Sequence, residues 1–314
     1  MPRTPSLRSQ GAPKVPKPEW LKVKVPQGER FQWIKERARS LNLHTVCEEA
    51  RCPNIGECWQ GGTATFMLMG DTCTRGCRFC SVKTLRNPGA LDASEPQHIA
   101  ETIREMGLDY VVLTTVNRDD LPGQGSEHIA ETIRRTQIAN PELLIEVLIP
   151  DFQGDAACLE RIIEARPAVL AHNVETVERL TPVVRDPRAK YAQSLRVLET
   201  ARRRAAELGI PLKTKSSLML GLGETDAEVR TAMHALRGVG CDFLTLGQYL
   251  QPDATKLKVV EYVTPERFKA FEQEGLAMGF AYVASGPLIR SSYRAAEFYI
   301  QQQIRKERAA GPTR

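Results

Sequence analysis

Three cysteines, Cys73, Cys77 and Cys80, stand in the spacing C-x3-C-x2-C. They closely follow the apolar run 64–69, which is typical of a buried strand. Three thiolates on one short loop can hold three irons of a [4Fe-4S] cluster, because cysteine thiolates are the usual ligands of such clusters. The fourth iron then lacks a protein ligand and is open to a small molecule. Half of a zinc site is the alternative, but zinc needs a second ligand pair and the five histidines are isolated.

A second cysteine group, Cys47, Cys52 and Cys58, precedes the first with the spacing C-x4-C-x5-C. Proline, asparagine and glycine between these cysteines disfavour a regular helix or strand, so we expect a compact loop. Six of the eight cysteines fall between Cys47 and Cys80, which indicates metal binding in a reducing compartment rather than disulfides. We interpret this group as a second iron–sulfur site, with zinc as the alternative.

Composition narrows the class of protein further. The apolar fraction of 42% suffices for a full core, and no apolar run approaches the roughly 20 residues of a membrane span. The net charge of +5 is concentrated in residues 1–25, and the rest of the chain is balanced. A balanced body argues against a large nucleic-acid footprint. The many prolines of the basic arm would spoil a transit helix and no apolar signal segment follows the arm, so we expect a cytoplasmic protein without membrane or nucleic-acid partners.

Apolar runs alternate with amphipathic helical stretches along the body of the chain. This pattern is typical of a parallel sheet covered by helices, and six β/α units predict a partial (β/α)6 TIM-like barrel. An open doubly wound sheet is the alternative. The six predicted strands lie at 64–69, 109–115, 143–149, 168–173, 212–220 and 242–247.

Polar residues follow several of these strands, at the ends where parallel β/α folds place their sites. Asn117 and Asp119 follow the second strand, and His172 and Glu175 end the fourth. Helix capping would also explain the acidic residues and the asparagine, and His172 is best read as a hydrogen-bonded histidine beside a pocket. We expect these ends to converge on one mouth with the Cys73 loop at its rim.

The Cys73 loop resembles that of the radical S-adenosylmethionine (SAM) enzymes, and the whole set of motifs resembles the lipoyl synthase family. The resemblance covers about residues 30–297. One departure is Lys256, where the family's histidine is expected. The matching stretches are both cysteine groups, Val116–Leu121, His172–Thr176, Gly221–Thr225, Gln248–Pro252 and Arg290–Tyr293.

The resemblance implies a transferase with two [4Fe-4S] clusters and SAM as cofactors. Cys73, Cys77 and Cys80 would hold the cluster that cleaves SAM to a 5′-deoxyadenosyl radical. Cys47, Cys52 and Cys58 would hold an auxiliary cluster that is consumed as the sulfur donor. Two rounds would insert sulfur at C6 and C8 of a protein-bound octanoyl-lysine and yield the lipoyl group.

The resemblance also implies further site residues. A serine, taken as Ser292 rather than Ser291, would be the fourth ligand of the auxiliary cluster, and a hard serine oxygen suits iron less well than a thiolate. Asn117, Glu175 and Arg188 would hold SAM, with Glu175 on the ribose hydroxyls and Arg188 on the carboxylate.

With these roles, the chain divides into five expected segments. These are a disordered, basic, Pro-rich arm (1–28), an N-terminal auxiliary-cluster segment (29–62), the partial barrel (63–250), a C-terminal segment that closes the barrel and supplies the serine (251–300) and a frayed tail (301–314).

The implied partners are an octanoylated lipoyl carrier protein (glycine cleavage H protein or the E2 lipoyl domain of a 2-oxoacid dehydrogenase), an electron donor such as ferredoxin or flavodoxin, and an iron–sulfur carrier that rebuilds the consumed cluster. Two alternatives stay open. One is another two-cluster enzyme of the methylthiotransferase type, and the other is a non-catalytic iron–sulfur or zinc protein.

Overall fold

The computed structural model describes residues 16–22, 28–49, 52–60, 65–292, 300, 302 and 304–306. Eight strands form one sheet in the order β1-β2-β5-β6-β7-β8-β9-β10, and β3 pairs with β4 beside it. All neighbours in the large sheet are parallel except β1, which is antiparallel to β2. The strands are β1 His44–Thr45, β2 Thr65–Leu68, β3 Thr72–Cys73, β4 Lys83–Thr84, β5 Tyr110–Thr115, β6 Leu144–Leu148, β7 Val169–Ala171, β8 Lys213–Leu220, β9 Phe243–Gln248 and β10 Tyr282–Gly286.

Helices alternate with the parallel strands. In the part of the chain that the structure describes, none of them has the length and apolarity to cross a bilayer. Short 3-10 turns occur at Glu19–Leu21, Pro122–Gly125, Phe152–Gly154 and Glu178–Leu180. The α-helices are α1 Glu29–Ser40, α2 Val46–Glu49, α3 Ile55–Gln60, α4 Glu95–Met106, α5 Ser126–Ala139, α6 Ala156–Glu164, α7 Thr181–Val184, α8 Tyr191–Glu207, α9 Asp226–Gly238 and α10 Pro265–Ala277.

Local sequence explains where these helices begin and end. In α4, Ile99, Ile103 and Met106 are buried on one face, and Gly107 ends the helix in the left-handed conformation with φ 60°. In α9, Thr225 and Glu228 form a reciprocal capping box, which satisfies two backbone donors at the first turn. The helices therefore cover the outer face of the sheet where the periodicity predicts.

The concave interior of the sheet is layered, because alternate residues of a strand point to the same face. On β6, Leu148 lines the cavity at the carboxyl ends of the strands. Below it, Glu146 accepts hydrogen bonds from Lys215 at 2.7 and 2.8 Å and from the Tyr110 hydroxyl at 2.6 Å. At the lowest layer, Leu144 belongs to a buried apolar cluster that includes two C-terminal isoleucines, Ile300 and Ile304. The cavity therefore lies above layers of packed side chains in the interior of the sheet.

The partial barrel is confirmed, since all six predicted β/α strands lie side by side in one mostly parallel sheet. The sheet also extends at both edges. Strand β10 adds a seventh parallel strand after α10, and β1 adds a short antiparallel one. Residues beyond 250 are therefore part of the sheet and not only a cap over it.

Three local expectations are corrected. Disorder over all of 1–28 is wrong, because Leu21 is only 3% exposed within a 3-10 turn, although residues 1–15 and 23–27 lie outside the described residues. Fraying over all of 301–314 is wrong, because Ile304 is 6% exposed in the lowest apolar layer. The segment around Cys58 is also not a loop throughout. Helix α3 forms despite Gly56, since it buries Trp59 against Phe31 at a ring distance of 5.0 Å.

Candidate active site

The Cys73 loop leaves the sheet through a sharp turn after β2. Met69 and Gly70 have φ of 69° and 83°, in the left-handed region. The two backbone amides of this turn donate to the Glu95 carboxylate at 2.8 and 3.2 Å. The start of α4 therefore fixes the path by which the chain reaches Cys73.

Backbone amides point at two of the loop sulfurs. The amides of Arg75 and Asn117 lie 3.4 and 3.3 Å from the Cys73 Sγ, and the amide of Asp186 lies 3.4 Å from the Cys77 Sγ. N–H groups aimed at sulfur favour its anionic, metal-binding form. These contacts come from three different elements, so the loop is oriented from several sides.

Burial opposes ionisation of several of these thiols. Burial raises the pKa of Cys77 and Cys52, and it raises the pKa of Cys80 to about 12. Iron binds the thiolate and therefore releases a proton from each cysteine as it binds. None of the eight cysteines, all of which lie within the described residues, forms a disulfide.

A buried network of charges underlies the Cys73 loop. The Arg75 guanidinium is 2.7 Å from both Asp119 and Asp151. Despite burial, the ion pair with Arg75 lowers the pKa of Asp151 to about 2. Asp186 accepts the Gly76 amide at 2.9 Å and, through its second carboxylate oxygen, the Arg188 Nε at 2.8 Å. The loop is thereby tied to the segments after β5, β6 and α7.

The second cysteine group is held differently. Cys47 lies in α2 and Cys58 in α3, both buried, and the Cys52 amide bonds the Cys47 carbonyl at 3.0 Å. Asn54 Nδ2 donates to the Leu288 carbonyl at 2.6 Å, which joins this group to the segment after β10.

The segment after β10 passes directly over the end of β9. A Cβ at Gly247 would lie 2.2 Å from the Ile289 carbonyl oxygen, so only glycine allows this approach. The crossing places Ser291 and Ser292 in the wall of the cavity described next.

One cavity of about 580 Å³ unites the two cysteine groups. This volume is typical of small-molecule sites. The cavity is lined by Cys47, Cys52, Cys58, Cys73, Cys77, Cys80, Asn117, Glu175, Ser291 and Ser292, among others.

The sulfurs of the two cysteine groups are not gathered as closely as a single zinc ion requires. Among the described residues, His44, Glu49 and Asp71 are the only group of three whose ligand atoms all lie within 4.8 Å of one another. Neither cysteine triad is that tight. A tetrahedral zinc ion with Zn–S bonds of about 2.3 Å needs its sulfurs roughly 4 Å apart. Neither thiol triad is therefore arranged around a single tetrahedral ion.

Glu175 lies at the end of β7 in a strained conformation, with φ of 67°. Its backbone bridges to β8, where its amide donates to the Ser217 carbonyl at 3.0 Å and its carbonyl accepts the Met219 amide at 2.8 Å. Burial raises the pKa of the Glu175 carboxyl, and Asn173 donates to it at 3.2 Å. The carboxyl group lines the cavity together with Asn117.

Arg188 is not among the cavity-lining residues. Its guanidinium instead bonds Asp186 and the Thr74 carbonyl, the latter at 2.7 Å, and its side chain is 43% exposed. The arginine that lines the cavity is Arg185, which donates to the Ser194 hydroxyl at 2.8 Å. Sequence reasoning missed Arg185, and the Arg185-Asp186-Pro187-Arg188 run gives no signal of which arginine faces inward.

His172 is the hydrogen-bonded pocket histidine that the sequence predicts. Its two ring nitrogens lie 2.9 Å from the Ile149 carbonyl and 2.9 Å from the Ser194 hydroxyl. Burial lowers the pKa of His172 to about 4, so the ring is neutral at pH 7. It supports the cavity wall beside Arg185, because both side chains bond Ser194.

Comparison with protein families supports the same reading. The model of the Radical SAM superfamily matches residues 67–236. The model of the N-terminal domain of lipoyl synthase matches residues 5–52.

Individual relatives are close. The chain is 58% identical over 296 residues to a protein named mitochondrial lipoyl synthase from Drosophila mojavensis, covering 93% of this chain and 80% of that one. It is 58% identical over 288 residues to a lipoyl synthase from Anaeromyxobacter dehalogenans, covering 92% of this chain and 96% of that one.

Solved structures share the fold at low identity. HydG, a maturase of the [FeFe]-hydrogenase, matches with a TM-score of 0.52 and 20% identity, over 70% of this chain and 50% of that one. SuiB from Streptococcus suis, bound to its precursor peptide SuiA, matches with a TM-score of 0.54 and 10% identity, over 70% of this chain and 48% of that one.

Proposed function

The chain belongs to the lipoyl synthase family of the radical SAM superfamily, and we propose from this premise that its two cysteine groups hold the two [4Fe-4S] clusters of such an enzyme. The enzyme inserts sulfur at C6 and C8 of a protein-bound octanoyl-lysine. One observation carries the residue assignment: a single cavity is lined by both cysteine triads, by Ser292 and by the ends of the parallel strands.

In this assignment Cys73, Cys77 and Cys80 hold the cluster that binds SAM. Cys47, Cys52, Cys58 and Ser292 hold the auxiliary cluster. When bound, the clusters and SAM supply a 5′-deoxyadenosyl radical and sulfur atoms. Holding both cluster sites on one cavity lets the protein keep a substrate carbon close to the sulfur that it accepts. The apolar wall, with Leu148 and Ile149 among its residues, excludes water that would quench a radical.

The polar residues of the wall orient SAM in this proposal. Glu175 and Asn117 offer acceptor and donor groups for the ribose. Arg185 takes the place first given to Arg188 as the partner of the SAM carboxylate, because Arg185 lines the cavity and the Arg188 guanidinium is bonded outside it. Arg188 then acts by holding the Cys73 loop through Thr74 and Asp186.

Lipoyl carrier proteins are the substrates of the family. We propose that an octanoylated glycine cleavage H protein or E2 lipoyl domain is used, that ferredoxin or flavodoxin supplies electrons, and that an iron–sulfur carrier rebuilds the auxiliary cluster. We place the protein in the cytoplasm, since eight cysteines without a disulfide suit a reducing compartment. Cell fractionation of a tagged chain tests this placement.

The decisive experiment compares Cys73→Ala with Cys52→Ala under anaerobic conditions, with SAM, dithionite and an octanoyl-lysine peptide. We expect Cys73→Ala to abolish formation of 5′-deoxyadenosine. Cys52→Ala should still form 5′-deoxyadenosine but add no sulfur to the peptide, as measured by mass spectrometry.

Cys158→Ala is the matched control, because this buried cysteine lies outside the cavity and donates to the Gly123 carbonyl at 3.2 Å. It should retain both activities. Lipoyl product from Cys52→Ala would refute the sulfur-donor role of the second group, and stoichiometric zinc in the purified protein would refute the cluster assignment.

A further inference from the structure

Four cationic residues either line the active-site cavity or lie in segments next to the residues that line it, and we call them the basic rim: Lys17, Arg78, Lys256 and Lys258. Lys17 belongs to the N-terminal arm and lines the cavity. Arg78 lies between Cys77 and Cys80, and Lys256 and Lys258 lie in the segment after β9. Three separate parts of the chain thus bring positive charge to one mouth.

Hydrogen bonds fix the backbone of the segment that carries the two lysines. The Leu257 amide donates to the Arg78 carbonyl at 3.1 Å, so the segment 256–258 lies against the Cys73 loop. The Tyr249 hydroxyl donates to the Leu257 carbonyl at 2.8 Å, and Gln251 Nε2 donates to the Lys256 carbonyl at 2.9 Å. Tyr249 and Gln251 both line the cavity. The backbone of this segment is therefore part of the mouth.

Carboxylates of the described residues do not neutralise the rim cations. None of the ion pairs found within the described ranges involves a rim residue. The acidic side chains nearest in sequence bond other groups: Glu19 pairs with Lys22, Glu261 pairs with Arg267, and Asp253 accepts the Thr255 amide at 2.8 Å and the Thr255 hydroxyl. The Arg78 guanidinium bonds a backbone carbonyl, that of Val183, at 3.1 Å.

Many other surface arginines are paired with carboxylates. Arg179 bonds Glu228 at 2.6 Å, and Arg230 bonds Glu274 at 2.7 Å. Like charges gathered around one opening repel each other and attract an acidic surface from solution. The arrangement is therefore suited to a negatively charged partner that covers the mouth.

We propose that the basic rim docks an acidic face of the carrier protein beside its octanoyl-lysine, an inference that rests on the proposed function. The acyl chain must enter through this mouth, so the surface that surrounds the acylated lysine has to face the rim. Electrons can reach a cluster through the protein from other sides. The rim therefore fits the carrier better than it fits an acidic electron donor.

The test is the double variant Lys256→Glu/Lys258→Glu in the full chain with both clusters loaded and dithionite as reductant. We expect the KM for octanoylated H protein to rise about tenfold. The KM and kcat for a short octanoyl-lysine peptide without acidic side chains, and the rate of SAM cleavage, should stay within about twofold because the peptide has no surface to dock.

The dissociation constant for the carrier tests docking without catalysis. It should rise about tenfold in the variant, and rising salt should weaken wild-type binding more than variant binding. The matched control is Arg104→Glu/Arg196→Glu, which makes the same change in net charge at exposed positions on α4 and α8 and should leave carrier binding unchanged.

Three outcomes would overturn the inference. One is an unchanged dissociation constant for the carrier, and another is an equal loss with carrier and peptide, which would place the lysines in substrate handling inside the cavity. The third is a loss seen only when a protein electron donor replaces dithionite, which would make the rim its docking site. Failure of the wild type to add sulfur to any substrate would instead refute the proposed function. The dissociation constants would still show whether the basic rim binds the carrier.

Discussion

The two cysteine regions are held in the fold by different forces. The Cys73 loop is tied down by charges, since Arg75 lies between two buried carboxylates and backbone amides point at the Cys73 and Cys77 sulfurs. The Cys47–Cys58 region contains two short helices, of which α3 packs on α1 through Trp59, and the region reaches the C-terminal segment through Asn54. Buried ion pairs and backbone amides hold the first region in place, whereas the second is assembled from segments that are far apart in the sequence.

This difference matches the two proposed roles. A cluster that is used in every turnover needs ligands whose positions do not change, and buried ion pairs in a folded frame supply that. A cluster that gives up sulfur has to release iron. Ligands on short helices, completed by a hard serine oxygen from another segment, hold iron less firmly.

Replacing Ser292, the proposed serine ligand of the auxiliary cluster, should have the largest effect on the difference between the two cysteine regions. Ser292→Ala is expected to lower lipoyl formation about 100-fold or more, because losing a direct ligand should exceed the effect of losing a group behind one. Formation of 5′-deoxyadenosine should stay near the wild-type rate. Ser291→Ala, at the neighbouring cavity-lining serine, is the control and should retain sulfur insertion. The reverse result for the two variants would transfer the ligand role to Ser291.

The substitution Arg75→Met removes the buried ion pairs beneath the Cys73 loop. Breaking a buried ion pair leaves carboxylates without a counter-charge, so we expect the free energy of unfolding to fall by about 3–5 kcal/mol. The absorption and EPR signals of the SAM-binding cluster should be altered, and those of the auxiliary cluster kept. Both are measured on the anaerobically reconstituted protein.

Lys215→Met is the matched control, because it breaks another buried ion pair, with Glu146, two residues before a cavity-lining position. It should destabilise the fold to a similar extent and leave both cluster signals intact. If Lys215→Met changed the signals of the SAM-binding cluster as much as Arg75→Met does, the effect of Arg75→Met would come from a general loss of stability. It would then not come from a local effect on the Cys73 loop.

The pH dependence of stability gives a smaller and finer test. In the folded protein the pKa of Asp151 is about 2, below its value of about 3.9 in an unfolded chain. A lowered pKa contributes stability above the unfolded value, and this contribution of about 2 kcal/mol is lost as pH falls from about 4 to 2. Asp151→Asn should flatten this part of the curve in urea unfolding at several pH values. Asp109→Asn, at an exposed carboxylate, should follow the wild-type curve and so serves as the control.

Much of the fold could be predicted from the sequence because periodicity reports burial directly. The six strand runs and the helices between them appear where apolar spacing places them. The seventh strand had the same signal, since α10 precedes the run at 281–284, but its place in the sheet depends on pairing with β9, which spacing does not give. Ile300 and Ile304, four residues apart in a polar tail, show the same limit, since what they cover depends on tertiary packing.

Some residues of the candidate site could also be predicted from the sequence, and others could not. The residue type and spacing of cysteines indicate metal binding, so both triads could be found from the sequence. Arg185 and Asp151 act only because the fold turns them inward, and polar residues of these types also occur on every surface. Ser292 carries no local signal at all, and only the resemblance to a family pointed to it.

The bond between Asn54 and Leu288 spans 234 positions in the chain. During synthesis at about 5–20 residues per second, the cysteines near Asn54 are exposed for roughly 10–50 s before the serine segment is made. The Cys73, Cys77 and Cys80 triad does not depend on Ser292, since its three cysteines lie within one loop. Nascent chains are therefore expected to acquire their two metal centres in a fixed order, with the sulfur-donating one completed last.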